Sequence, residues 1–96
     1  MNNQSAARAA RKRAGRQIRI VLVDDSAPAR AMLTRLLAPY LQVCIAGQAA
    51  SGTEGLALAD RLQPDLVITD LQMPGVNGLQ LVERLRRQHP AMRSLV

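Results

Sequence analysis

Three aspartates stand where their carboxylates could act together. Asp24 and Asp25 directly follow the apolar run 20–23, and Asp70 directly follows a second strand-like run, 66–69. If both runs are neighbouring strands of a parallel sheet, their carboxyl ends meet and the three carboxylates converge. Carboxylates this close repel one another, and a bound divalent cation removes the conflict. Oxygen ligands with vacant positions suit Mg²⁺, which keeps waters and favours phosphate oxygens.

The same residues have simpler interpretations when each is taken alone. An Asp-Asp pair before Ser-x-Pro is typical of a helix cap or a turn, and one aspartate at a strand end indicates little. The combination carries the prediction, because it needs two apolar strands that both end in acid.

Short apolar runs typical of strands alternate along the chain with segments whose apolar residues recur at helical spacing. Strands are predicted at 20–23, 43–46, 66–69 and 94–96. Between them, apolar residues recur at helical spacing and predict buried helix faces. These residues are Met32, Leu33, Leu36 and Leu37, then Leu56, Ala59 and Leu62, then Leu79, Val82 and Leu85. Ser26 and Asn77 can cap helices, Pro64 ends one, and Gly47 is expected to end the second strand or form its turn.

This order, β-α-β-α-β-α-β, predicts an α/β fold with a parallel sheet covered by helices. Strands that alternate with helices of about a dozen residues imply right-handed βαβ units. If the strand order begins 2-1-3, the winding direction reverses between the first and third strands. Those are the two strands that end in aspartates, so the predicted site coincides with the predicted switch point of the sheet.

The basic charge of the chain belongs to one end. The formal net charge is +6, yet six of the 13 Lys and Arg residues and none of the seven acids lie in the first 19 residues, so residues 20–96 are neutral (7 − 7 = 0). Residues 1–17 lack large apolar side chains and are predicted to be a disordered basic tail. The tail could be a solvated leader, an arm for nucleic acid or another anionic surface, or a transit peptide. We expect no nucleic-acid partner for the remainder.

Composition also limits the compartment. The single cysteine, Cys44, excludes an internal disulfide and a cysteine-based zinc site. No apolar run approaches the roughly 20 residues that span a bilayer. We therefore expect a cytoplasmic protein with no membrane partner.

Two longer motifs resemble one known family. The stretch IRIVLVDDSAPARAMLTRLL (18–37) and the stretch GQAASGTEGLALADRLQPDLVITDLQMPGVNGLQLVERL (47–85) resemble the receiver domain of two-component response regulators. The most specific parts are VDDS after the first strand and PDLVITDLQMPGVNG around the third. The resemblance covers 18–96 and implies a flavodoxin-like (CheY-like) doubly wound parallel sheet.

The resemblance also implies a role for each site residue. Asp70 matches the phosphoacceptor, which takes a phosphoryl group from a histidine kinase, a phosphotransfer protein or a small acyl phosphate. Asp25 matches the direct Mg²⁺ ligand, and Asp24 matches the acid that acts through a metal-bound water. Gln72 stands where the family supplies a backbone carbonyl to the metal, and Gly78 belongs to the loop that shapes the site. Such a protein is a signalling module rather than an enzyme with a separate substrate.

Two features of the family are missing from this chain. Similar receivers carry Ser or Thr at the end of the fourth strand and Lys at the end of the fifth, whereas this chain stops in the fourth strand and its only lysine is Lys12. We therefore expect 18–96 to be a partial receiver, truncated after the start of the fourth strand. Its phosphotransfer should be slow, and it should be unstable, partly molten or oligomeric through an exposed sheet edge.

Two other functions remain open at this point. One is a non-catalytic fragment that binds a kinase or an intact receiver. The other is an Mg²⁺-dependent aspartyl phosphatase-like enzyme, whose nucleophile lies on the first strand in an Asp-x-Asp motif. Here Ser26 occupies the second acidic position, which counts against that enzyme. The stretch VCIAGQAASG resembles receivers attached to helix-turn-helix regulators and also those attached to chemotaxis methylesterases, so it does not indicate the output.

Overall fold

The computed structural model describes residues 16–96. In this part of the chain, four strands alternate with three helices, as the sequence predicts. The elements are β1 (Ile18–Val23), α1 (Ala27–Leu37), β2 (Val43–Ala49), α2 (Gly52–Leu62), β3 (Leu66–Thr69), α3 (Gly78–Gln88) and β4 (Arg93–Leu95). The predicted disordered tail, 1–17, lies outside the described residues except for its last two. Of these, Arg16 forms an ion pair with Asp65, and the Gln17 side chain donates a hydrogen bond to the Leu41 carbonyl (3.1 Å).

The strands form one parallel sheet in the order β2-β1-β3-β4. The chain passes from β1 outward to β2 and then returns across β1 to β3, so the winding direction reverses between β1 and β3. This confirms the predicted 2-1-3 start and the doubly wound α/β fold. Because such crossovers are right-handed, α1 covers one face of the sheet while α2 and α3 cover the other.

The core lies between the sheet and the pair α2 and α3. Side chains of a strand alternate between its two faces, so every second residue of β1 points into this layer. The buried cluster consists of Val21, Val23, Ala49, Ala59, Val67, Met73, Leu81 and Leu85. Gly55 lets α2 approach β1 closely, because a Cβ at this position would lie 2.7 Å from Cγ2 of Val23.

The opposite face is covered less completely. Ile20 and Leu22 of β1 are buried there, but α1 itself has no buried residue. Met32 and Leu36 are 62% and 61% exposed, so the prediction that they belong to a buried helix face is wrong. Their exposure has a physical reason: in the described part of the chain, no second helix lies beside α1 to cover the sides of its apolar stripe.

The second strand also differs from the prediction. Gly47 does not end β2, which continues to Ala49. The register shifts where Ile20 pairs with Ile45 but Val21 pairs with Gly47, so β2 carries one extra residue. A Cβ at Gly47 would lie 2.9 Å from Cδ1 of Leu62. The glycine therefore serves the packing of α2 on β2 rather than a turn.

Side-chain caps begin the helices, as predicted for Ser26 and Asn77. The Ser26 hydroxyl accepts a hydrogen bond from the Ala29 amide (3.2 Å). Asn77 and Gln80 form a reciprocal capping box, which satisfies amides that the first turn leaves without a backbone partner. Each helix in the described residues has 11 residues, and none is long and apolar enough to cross a membrane.

Two leucines on one helix test where the core lies. Leu81 is fully buried, whereas Leu79 is 63% exposed, so the prediction that Leu79 belongs to a buried helix face is wrong. Leu81→Ala should lower the free energy of unfolding by about 2–5 kcal/mol, because it removes buried methyl groups and leaves a cavity. Leu79→Ala should change it by less than about 0.5 kcal/mol. Urea denaturation followed by circular dichroism measures both, and equal effects would contradict this packing.

Candidate functional site

The three predicted aspartates lie together at the carboxyl end of the sheet. Asp24, Asp25 and Asp70 each offer a carboxylate oxygen, and these oxygens lie within 4.8 Å of one another. The strand pairing explains the cluster. The Asp70 amide donates a hydrogen bond to the Val23 carbonyl (2.9 Å), so the parallel register of β1 and β3 continues past the end of both strands. The structure thus brings together the acids on which the sequence prediction rests.

Hydrogen bonds fix the loop that carries Asp24. The Asp24 amide donates to the Ala49 carbonyl at the end of β2 (3.0 Å). One of its carboxylate oxygens, Oδ1, accepts from the Ser26 amide (2.8 Å). The Asp24 side chain is therefore held in one direction and half-buried, whereas Asp25 is exposed.

The charges of the cluster are not balanced by nearby ion pairs. Within residues 16–96, the ion pairs involve three other acids, Asp60, Asp65 and Glu83. Three carboxylates without a cationic partner repel one another. Several carboxylate oxygens within a few ångströms, open to solvent, match the ligand set of a hard divalent cation. The residues present therefore fit such an ion.

Close backbone contacts position Asp70. The Thr69 hydroxyl donates to the Asp70 carbonyl (3.0 Å), and the Gly78 amide donates to the Leu71 carbonyl (2.9 Å). A Cβ at Gly78 would lie 2.2 Å from the Asp70 carbonyl oxygen. Only glycine lets the first turn of α3 approach the Asp70 backbone this closely.

The loop between Asp70 and α3 is anchored on both sides. Met73 is buried in the core, and Gly75 adopts a positive φ of 75°, a conformation that favours glycine. A Cβ at Gly52 would lie 2.4 Å from the Val76 carbonyl oxygen, so the start of α2 packs against this loop. Gln72 is exposed in the same loop, and the metal-binding role of its carbonyl stays a prediction.

Sequence reasoning missed two residues that support the site, Gly52 and Arg30. The Nη1 atom of Arg30 donates to the backbone carbonyl of Asp24. Its position one helical turn after Ser26 was the available signal, since residues four apart share one helix face.

A separate cleft of about 840 Å³ lies at the amino ends of the strands. Its lining includes Arg16, Pro64, His89, Met92 and Arg93, and none of the clustered aspartates. In open parallel sheets, ligands bind beyond the carboxyl ends of the strands. The candidate site is therefore the aspartate cluster and not this cleft.

Comparison with known sequences identifies one protein family. The family model described as the response regulator receiver domain matches residues 20–96. Response regulator GacA of Pseudomonas viridiflava is 44% identical over 73 residues, which are 76% of this chain and 34% of that protein. The protein-glutamate methylesterase/protein-glutamine glutaminase 6 of Anaeromyxobacter dehalogenans is 45% identical over 75 residues, 78% of this chain and 21% of that protein. The chain thus spans about a third or less of the length of these relatives.

Solved structures agree on the fold. The signal receiver domain of the response regulator NarL from Mycobacterium tuberculosis superposes with a TM-score of 0.78 at 29% identity, covering 82% of this chain and 64% of that chain. The response regulator domain of Thermotoga maritima CheB gives a TM-score of 0.78 at 32% identity, covering 82% of this chain and 58% of that chain.

Gly78→Ala tests the close contact with Asp70. The new methyl group would meet backbone atoms, so we expect a loss of about 1–3 kcal/mol of stability and shifted amide resonances for Asp70 and Leu71. Gly47→Ala is the matched control, because its methyl group would meet only side-chain atoms, those of Leu62, Leu58 and Val21. Urea denaturation and two-dimensional amide NMR compare the two. Unmoved Asp70 and Leu71 signals in Gly78→Ala would refute the contact.

Proposed function

Since this chain belongs to the response regulator receiver domain family, we propose that it accepts a phosphoryl group on Asp70 in an Mg²⁺-dependent reaction. The donor would be a histidine kinase or phosphotransfer protein, or a small acyl phosphate in vitro. The observation that carries the proposal is the cluster of three carboxylates, with oxygens within 4.8 Å of one another, at the switch point of the sheet.

The two acids after β1 would hold the metal. Asp25 is exposed and its carboxylate accepts no hydrogen bond from residues 16–96, which suits direct coordination. Asp24 already commits Oδ1 to the Ser26 amide, which suits contact through a water. One carboxylate oxygen of Asp70 and the Gln72 carbonyl would complete the protein ligands. When bound, Mg²⁺ supplies positive charge against the oxygens of the transferring phosphoryl group.

Asp70 would be the nucleophile. One of its carboxylate oxygens forms a bond to phosphorus while the bond from phosphorus to the donor breaks. The departing electron pair goes to the histidine nitrogen of the donor or, for an acyl phosphate, to the acyl oxygen. Binding of the phosphoryl oxygens and the attacking carboxylate in one arrangement provides most of the catalysis in such transfers. The Thr69 and Gly78 contacts keep the Asp70 backbone in place for this attack.

The alternative nucleophile is Asp24, which an aspartyl phosphatase-like enzyme would use. The Ser26 amide and the partial burial of Asp24 restrict its carboxylate. No described residue donates a hydrogen bond to the Asp70 carboxylate, which leaves its oxygens available for attack. These contacts favour Asp70, and the site of phosphorylation distinguishes the two functions directly.

Asp70→Asn should abolish phosphorylation. The full chain is incubated with acetyl phosphate and Mg²⁺, intact mass spectrometry detects the added phosphoryl group, and peptide mapping locates it. Asp60→Asn, the same substitution on an exposed aspartate outside the cluster, should leave the modification unchanged. Label on Asp24 would indicate the phosphatase-like enzyme. If neither acetyl phosphate nor a phosphorylated histidine kinase labels the folded chain, the result would favour a non-catalytic binding fragment.

Mg²⁺ should stabilise the chain through the carboxylate cluster. A ligand that binds only the folded state adds about 2.7 kcal/mol at 100 times its dissociation constant. Asp25→Asn should weaken Mg²⁺ binding at least about tenfold, because loss of even an outer partner of a metal site costs that much. Thermal unfolding over a range of Mg²⁺ concentrations measures the effect, with Asp60→Asn as control. A response to Mg²⁺ that survives Asp25→Asn would place the ion elsewhere.

A further inference from the structure

Arg30 connects helix α1 to the loop 24–26, which follows β1 and carries Asp24 and Asp25. It lies in the first turn of α1, where its amide donates to the Ser26 carbonyl (3.1 Å). Its half-buried side chain turns back over the helix start, and Nη1 donates to the backbone carbonyl of Asp24. The residue therefore contacts the backbone of a proposed metal-binding acid without pairing with any carboxylate.

This contact completes the fixation of Asp24. The Asp24 amide is held by the Ala49 carbonyl (3.0 Å), and carboxylate Oδ1 is held by the Ser26 amide (2.8 Å). The Asp24 carbonyl is held by Arg30. With these three bonds, the peptide on each side of Asp24 has a defined orientation, which fixes the Asp24 carboxylate and the backbone from which the Asp25 side chain extends.

The side chain of Arg30 is otherwise poorly satisfied. Its Nε atom is buried and has no hydrogen-bond partner within the described residues. Burial of a donor without a partner is unfavourable. Among the described residues, the guanidinium therefore makes one hydrogen bond, the bond to the Asp24 carbonyl.

From these contacts we propose that Arg30 is a positioning residue for the cation site: it fixes the loop 24–26 so that Asp24 and Asp25 face the metal. This inference rests on the proposed Mg²⁺ site. In the absence of the ion, repulsion among the three carboxylates acts to separate them. A bond from α1 to the Asp24 carbonyl opposes that movement at the backbone.

Positioning and charge predict opposite effects of removing Arg30. A guanidinium near the cluster repels a cation, so loss of the charge alone should strengthen Mg²⁺ binding. Loss of the backbone bond should weaken it, because the ligands are no longer held in one geometry. The sign of the change in affinity therefore decides between a positioning role and a merely electrostatic one.

The test compares Arg30→Met with Arg35→Met in the full chain. Both remove one positive charge from α1, but Arg35 is exposed in the last turn and does not contact the loop. Isothermal titration with MgCl₂ should show binding about tenfold weaker in Arg30→Met, as for other outer residues of metal sites. Arg30→Lys, which keeps a charged donor, should recover part of the affinity. Equal or tighter binding in Arg30→Met, or equal weakening in Arg35→Met, would overturn the proposal.

A second measurement does not depend on the metal. Without Mg²⁺, amide hydrogen exchange at Asp24 and Ser26 should be faster in Arg30→Met and unchanged in Arg35→Met, because only the former loses the loop contact. If the wild-type chain binds no Mg²⁺, the proposed function fails and exchange alone decides the role of Arg30. Unchanged exchange would refute the positioning role. If Arg30→Met does not fold, Arg30→Ala and Arg35→Ala are compared by exchange in the same way, because alanine also removes the donor and favours the helix.

Discussion

The parallel pairing of β1 with β3 brings like charges together at one end of the sheet, and the structure around it holds the two strands in register. At the amino ends, the Asp65 amide donates to the Arg19 carbonyl (2.8 Å), while the Arg19 amide donates to an Asp65 carboxylate oxygen (2.8 Å). At the carboxyl ends, the Asp70 amide donates to the Val23 carbonyl. A slip of one residue would turn every buried side chain of β1 to the other face. The same pairing that buries the core therefore places three carboxylates side by side.

The loops at that end convert proximity into a defined geometry. Gly78 and Gly52 have no side chain, so α3 and α2 approach the loop after β3 within distances that a methyl group would forbid. On the other side, Ser26 and Arg30 hold the loop after β1 through an amide and a guanidinium. Helix starts thus surround the acids, and their amino-terminal partial positive charge favours negative groups there. The carboxylates stay close together despite their mutual repulsion because these contacts hold the surrounding chain at many points.

The features predicted from the sequence are those that depend on chain order and short-range pattern. The β-α alternation and the aspartates that follow β1 and β3 could be located because strand topology then forces the acids together. The exposure of Met32 and Leu36 could not be predicted, since helical spacing shows that an apolar stripe exists but not what covers it. Gly47 was misinterpreted for a related reason. A glycine in the sequence signals either a turn or a close contact, and only the position of Leu62 shows which one applies.

Helix α1 combines weak burial with a direct connection to the site. Its caps and contacts hold Asp24 through Ser26 and Arg30, yet none of its residues is buried, whereas α2 and α3 contribute Ala59, Leu81 and Leu85 to the core. Segments with few buried contacts open at lower free energy than the core. The loop 24–26 therefore keeps its geometry only while α1, the least buried helix, stays folded. Any ligand that binds the ordered loop must also stabilise α1, because binding to one state draws the equilibrium toward it. Site occupancy and the order of α1 are thus coupled through two hydrogen bonds of Asp24, one from the Ser26 amide and one from the Arg30 guanidinium.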